Sequence, residues 1–90
     1  MTEKDLIPGT VVRHFKRGML SDEERANSSR YLYEILGVAE HTETKERLVI
    51  YRALYGSGGI YARPLEMFLS ETDRSKYPEA VKKFRFEPVK

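Results

Sequence analysis

Residues 51–68 read YRALYGSGGIYARPLEMF. Tyr51 to Tyr55 continues a strand that begins near Arg47. Leu48, Ile50 and Leu54 share one of its faces, and Val49, Tyr51, Ala53 and Tyr55 share the other, with Arg52 as the interruption. A strand apolar on both faces is expected to be central, covered on two sides or curled into a barrel. Gly56, Ser57, Gly58 and Gly59 then supply residues able to take positive φ, as a tight hairpin requires. A returning strand over residues 60–63 is expected to stop at Pro64, which has no N–H to give to a ladder. The same proline suits the first position of a helix. Leu65, Met67 and Phe68 then read as one helical turn, with Met67 and Phe68 as core plugs.

Working outward, the other elements have weaker signals. Pro8-Gly9 marks a turn, and residues 1–9 read as a flexible leader. Residues 10–15 alternate and predict a first strand. Residues 19–30, MLSDEERANSSR, change character: Ser21 and Glu24 have the spacing of a capping box, which predicts a short helix over 22–28. Residues 31–41, YLYEILGVAEH, predict a long strand, with Gly37 marking a bulge or bend. Residues 42–45, TETK, make the turn that follows. Residues 79–83 allow a turn of helix, and residues 84–87 a last short strand. The expected architecture is mainly β: a small five-stranded SH3-like barrel with one or two short helices or helical turns. Residues 10–90 form a single domain in this reading, with residues 19–30 as an inserted helical segment. An antiparallel sheet with a helix across one face is the alternative.

Composition narrows the function classes. Ninety residues suit one domain with a thin core. There is no cysteine, so disulfides, thiolate metal sites and thiol nucleophiles are excluded together. That composition favours a reducing compartment, and the expected location is the cytoplasm. No stretch approaches the roughly 20 apolar residues that a spanning helix needs, and no membrane association is expected. The formal net charge is only +2. Its positive part lies in Arg13, Lys16 and Arg17, and in a tail with Arg74, Lys76, Lys82, Lys83, Arg85 and Lys90, while the middle of the chain is acidic. Uneven charge of this kind is usually solvated surface, and sometimes an interaction face.

A series of motifs carries a family resemblance. In order they are Arg13-His14-Phe15-Lys16, Tyr33-Glu34-Ile35-Leu36-Gly37-Val38-Ala39, His41-Thr42-Glu43-Thr44, Leu48-Val49-Ile50-Tyr51, Leu54-Tyr55-Gly56 and Arg63-Pro64-Leu65-Glu66-Met67-Phe68. Over about residues 10–69 this resembles the bacterial family called domain of unknown function 1653. The resemblance implies an SH3-like barrel in a bacterial cytoplasm and no established activity. Three positions depart from the family pattern. Lys45 stands where glycine is usual, which implies a lysine at a strained turn position or a different turn. Tyr61 stands where tryptophan is common. Residues 19–30 are inserted where many members pass directly between strands.

No nucleophile elbow, phosphate loop or zinc spacing is present, and no catalytic residue, metal ligand or cofactor is assigned. His14 and His41, with Glu40 and Glu43, offer a His/carboxylate set for an alternative function as a metal protein or small enzyme. Ordinary turn and strand-edge bonding explains the same residues. Arg13, Arg52 and Arg63 lie within apolar strand patterns, where a charge needs a partner. They are either ion-paired to Glu34, Glu40 or Glu66, or they receive an anion. Tyr31, Tyr33, Tyr51, Tyr55 and Tyr61 either fill the barrel or line an aromatic groove. The resulting expectation is a non-catalytic binding module. Its candidate ligand-binding residues are Arg13, His14, His41, Glu43, Tyr51, Arg52, Tyr55, Tyr61 and Arg63. Its partner would be a protein segment or a small anion, ahead of nucleic acid. A homo-oligomeric structural protein is the remaining alternative.

Overall fold

The structure is a computed structural model that describes residues 1–80 and 83–89. Five strands form one antiparallel sheet: β1 (Val11–His14), β2 (Leu32–Glu40), β3 (Arg47–Ala53), β4 (Ile60–Pro64) and β5 (Phe86–Pro88). Their order is β4-β3-β2-β1-β5, so the last strand returns beside the first. Two short helices, α1 (Asp22–Asn27) and α2 (Leu65–Phe68), complete the regular structure together with 3-10 turns at Glu3–Asp5 and Phe15–Met19.

Closure of the SH3-like barrel expected from the sequence is not seen, and the five strands form one open sheet. β4 and β5 are its edges, and no ladder joins them among the described residues. The reason lies at Pro64, which ends β4 and is followed at once by α2. α2 turns Phe68 inward, where its ring stacks on Phe86 of β5 with centroids 4.0 Å apart and planes 5° apart. Side-chain stacking, rather than backbone hydrogen bonding, spans the gap between the edges. Pro64 itself is the residue before the helix rather than its first position.

Phe68 is fully buried, but Met67 is 48% exposed and is no core plug. A single turn of helix separates neighbouring side chains by about 100°, so only one of the pair faces the sheet. The core comprises Leu6, Val12, Tyr33, Ile35, Val49, Tyr51, Ala53, Phe68 and Phe86. Leu6 comes from the segment read as a leader, and Glu3 of the same segment pairs with Arg47. On β3, Val49, Tyr51 and Ala53 are buried, whereas Leu48 and Ile50 on the other face are only half-buried.

The β2 bulge falls where Gly37 suggested. The pairing of β2 with β3 shifts between Ile35 and Gly37, leaving Leu36 unmatched. One extra residue inverts the alternation beyond it. Tyr33 and Ile35 are buried before the bulge, while after it Val38 packs against the core and Ala39 is exposed.

The inserted segment forms α1 with the Ser21/Glu24 capping box in place. The helix buries no residue. Arginines hold it instead. The Arg17 guanidinium donates to the carbonyls of Ser28, Arg30 and Arg25, and Arg25 donates to those of Gly18 and Leu20. Where the segment rejoins the sheet, Tyr31 has φ +68°, unusual for a bulky residue. Its carbonyl accepts from the His14 N–H at 2.9 Å, which helps to hold that conformation.

Lys45 has φ +66°. This is the strained lysine that the turn sequence raised as a possibility. Glycine adopts this region without the Cβ clash that a lysine meets there. Lys45→Gly is therefore expected to stabilise the protein by about 0.5–1 kcal/mol, read as a higher urea midpoint at unchanged slope. The Lys45–Glu40 pair lost with it is 3.9 Å long between exposed side chains, which is worth little. An unchanged or lower midpoint would mean that the turn does not strain the lysine.

Candidate functional site

Of the three candidate arginines, Arg13 and Arg52 have carboxylate partners across the sheet. Arg13 of β1 is paired in register with Glu87 of β5 and bonds its carboxylate at 3.0 Å. Arg52 of β3 is in register with Glu34 of β2 and pairs with it. These are cross-strand ion pairs, although the buried Arg13 Nε has no hydrogen-bond partner among the described residues.

Arg63 differs. Its register partner on β3 is Val49, and among the described residues no carboxylate pairs with it. Its Nε–H donates to the Tyr51 hydroxyl at 3.2 Å, and its guanidinium lies 5.6 Å from the centre of the Phe86 ring. The buried Tyr51 thus anchors the base of the fork, and Arg63 lines a cavity of about 240 Å³. His14, Lys16, Lys76 and Arg85 line the same cavity, with Phe15, Tyr77 and Asp73.

Each wall has a local cause. β1 ends at His14, and the chain turns into the 3-10 segment that carries Lys16. The Lys16 backbone N–H donates to His14 Nδ1 at 3.2 Å. The ring proton of neutral His14 is therefore assigned to Nε2, which makes that nitrogen a donor. Burial, with Arg63, Lys16 and Arg85 nearby, lowers the His14 pKa from 6.5 to about 4. At neutral pH the imidazole is an uncharged donor among cations.

Arg85 is held as Arg63 is. Its Nε–H donates to the Ser70 hydroxyl at 3.2 Å, and its carbonyl accepts from the Phe15 N–H at 2.8 Å. The Lys16 and Lys76 ammonium groups lie 5.2 and 5.7 Å from the centre of the Tyr77 ring. Among the described residues, Asp73 is the one acidic side chain in the lining. Its carboxylate accepts from the Ser75 hydroxyl at 2.6 Å and from the Ser75 and Lys76 backbone, and the Ser75 bond holds its pKa below the usual value.

The remaining candidates lie apart. His41 and Glu43 occupy the turn after β2, where His41 Nδ1 accepts from the Glu43 and Thr44 N–H groups. His14 is beside the start of β2 and His41 just past its end, on the order of 30 Å apart along a straight strand. The structure does not bring His14, His41 and Glu43 together. Among the described residues, no group of three His, Cys, Asp or Glu side chains could hold a metal ion. The Tyr55 and Tyr33 hydroxyls bond each other at 2.6 Å, and burial pushes the Tyr33 pKa up. Tyr61 is half exposed, with its ring 5.8 Å from that of Tyr51.

Of the nine candidates, His14 and Arg63 line the cavity and Tyr51 supports it from behind. Lys16, Lys76 and Arg85 were absent from that set. A signal for them existed in the two basic runs of the sequence. The pairing of β5 with β1 brings those runs together, and charge distribution alone does not reveal that pairing.

The family comparison now bears on the site. The family model described as Protein of unknown function (DUF1653) matches residues 10–88. The chain belongs to that family. The DUF1653 match runs from β1 through β5, and so includes the inserted segment, Arg63 and all the cavity-lining residues after it. Comparison with curated proteins and with solved structures found no match.

Proposed function

We propose that this DUF1653 domain is a binding module whose ligand presents an anionic group to the cleft between His14, Lys16, Arg63, Lys76 and Arg85. The observation that carries this reading is the contrast among the arginines. Arg13 and Arg52 are paired to glutamates, whereas Arg63 and Arg85 are anchored through Nε to hydroxyls and line one cavity with two lysines. Like charges gathered without pairing destabilise the empty protein, and a bound anion relieves that repulsion.

Binding rather than catalysis is favoured by His14. Its Nδ1 is occupied by a backbone N–H, and its other nitrogen carries the proton, so it is poorly suited to act as a general base. The cavity is smaller than the roughly 300–1,000 Å³ that encloses a drug-sized ligand, so it suits a small anion or the end group of a larger partner. The order β4-β3-β2-β1-β5, with β5 returning beside β1, is compatible with an SH3-like sheet that remains open. The cysteine-free composition supports a reducing compartment such as a bacterial cytoplasm.

Backbone amide spectra recorded during titration with sodium phosphate test this reading. Signals from Phe15, Lys16, Arg63 and Arg85 are expected to move together and saturate. Absence of saturable shifts, or shifts confined to the Arg13 and Arg52 pairs, would refute it.

A further inference from the structure

We infer that the cleft selects a doubly charged tetrahedral oxyanion, the terminal phosphate of a monoester or free phosphate, over a carboxylate. This rests on the anion-binding reading above and specifies its ligand class. The first argument is donor placement. Arg63 projects from β4, Arg85 precedes β5, Lys16 and His14 lie at the end of β1, and Lys76 belongs to the loop carrying Asp73 and Tyr77. Donors from separate segments line one small cavity. A carboxylate offers two coplanar oxygens, which a single guanidinium fork satisfies. A phosphoryl group offers three terminal oxygens in three directions and can engage both forks and a third donor together.

Charge leads to the same class. Among the described residues, four cationic side chains line the cavity against one carboxylate, Asp73. A monoanion leaves more of that excess uncompensated than a dianion does. Asp73 disfavours any anion, but its carboxylate is engaged in its own turn. Preorganisation is the third argument. Tyr51 and Ser70 already hold the two guanidinium groups at Nε, so the ordering cost of a two-armed grip is partly met before binding.

Calorimetry at pH 7.5 and fixed ionic strength, on the full chain, tests the inference with four probes: inorganic phosphate, phenyl phosphate, acetate and benzoate. At least one of the two phosphates is expected to bind at least tenfold more tightly than either carboxylate. Tighter binding of phenyl phosphate assigns the site to esters, and tighter binding of inorganic phosphate assigns it to the free ion. Arg63→Gln and Arg85→Gln are each expected to weaken phosphate binding at least tenfold, while Arg52→Gln leaves it unchanged. If Arg63→Gln fails to fold, Arg85→Gln and Lys16→Gln carry the same test. Equal affinity for phosphates and carboxylates would overturn the dianion preference and leave the anion-binding reading standing. No binding by any probe would overturn both. Loss of phosphate binding in Arg52→Gln but not in Arg85→Gln would overturn the assignment to this cleft.

Discussion

Phe86→Ala is expected to cost about 3–5 kcal/mol, a large share of the roughly 5–15 kcal/mol that stabilises a typical domain. Phe86 is 2% exposed and stacks on Phe68. Its ring also meets Tyr33, Tyr51 and His14 at centroid distances of 5.9, 5.8 and 5.0 Å. β5 has only three residues, so a single side chain provides most of its anchorage to the core. Urea unfolding followed by circular dichroism gives the loss directly. Since Phe86 also lies beneath Arg63, the variant should lose phosphate binding even where it remains folded. A loss below about 1 kcal/mol would mean that the Phe68–Phe86 stack does not hold the two edges together.

Acidification should weaken the protein through His14. Its folded pKa, about 4, lies below its ordinary value of 6.5, so the unfolded chain binds the proton more readily. Stability is therefore full above about pH 6.5, falls as the pH drops, and reaches the end of the His14 contribution near pH 4. The imidazole is partly exposed, so solvent screening reduces the effect to on the order of 1–2 kcal/mol. Between pH 7 and pH 4 the urea midpoint of the wild type should fall further than that of His14→Gln, with pH 5.5 between them. Glutamine keeps a donor in the cleft without the titration. Parallel pH profiles in the two proteins would assign the acid sensitivity to other groups.

Some of this structure was legible in the residues, and some was not. Local signals placed the strands, the Ser21/Glu24 helix start, the glycine hairpin and the β2 bulge, because each depends on neighbours in sequence. The choice between a barrel and an open antiparallel sheet was not legible. Whether β4 meets β5 depends on α2 and on the Phe68–Phe86 stack, whose members are far apart in the chain. Met67 and Phe68 looked alike in sequence, and only the orientation of a four-residue helix separates them.

The site follows the same division. The sequence suggested either ion-paired or anion-receiving roles for three arginines, and the structure divides them between these roles. Arg13 and Arg52 have glutamates in register, whereas Arg63 lies opposite Val49 and turns to Tyr51. Strand register decided this, and a bulge in β2 makes register hard to count from sequence. His41 resembled a ligand because two glutamates are near it in the chain, yet its ring nitrogen is engaged by its own turn.

The central claim is that cations crowd a neutral His14 in a cleft that takes an anion. The direct measurement is the pKa of His14, followed through its ring resonances, with and without saturating phosphate. In the free protein it should titrate near 4, and phosphate should raise it, because the negative charge of a bound phosphate, even as the monoanion present at that pH, favours the imidazolium. Titration near 6.5 in both conditions, with no response to phosphate, would contradict both the crowding at His14 and the binding of an anion beside it.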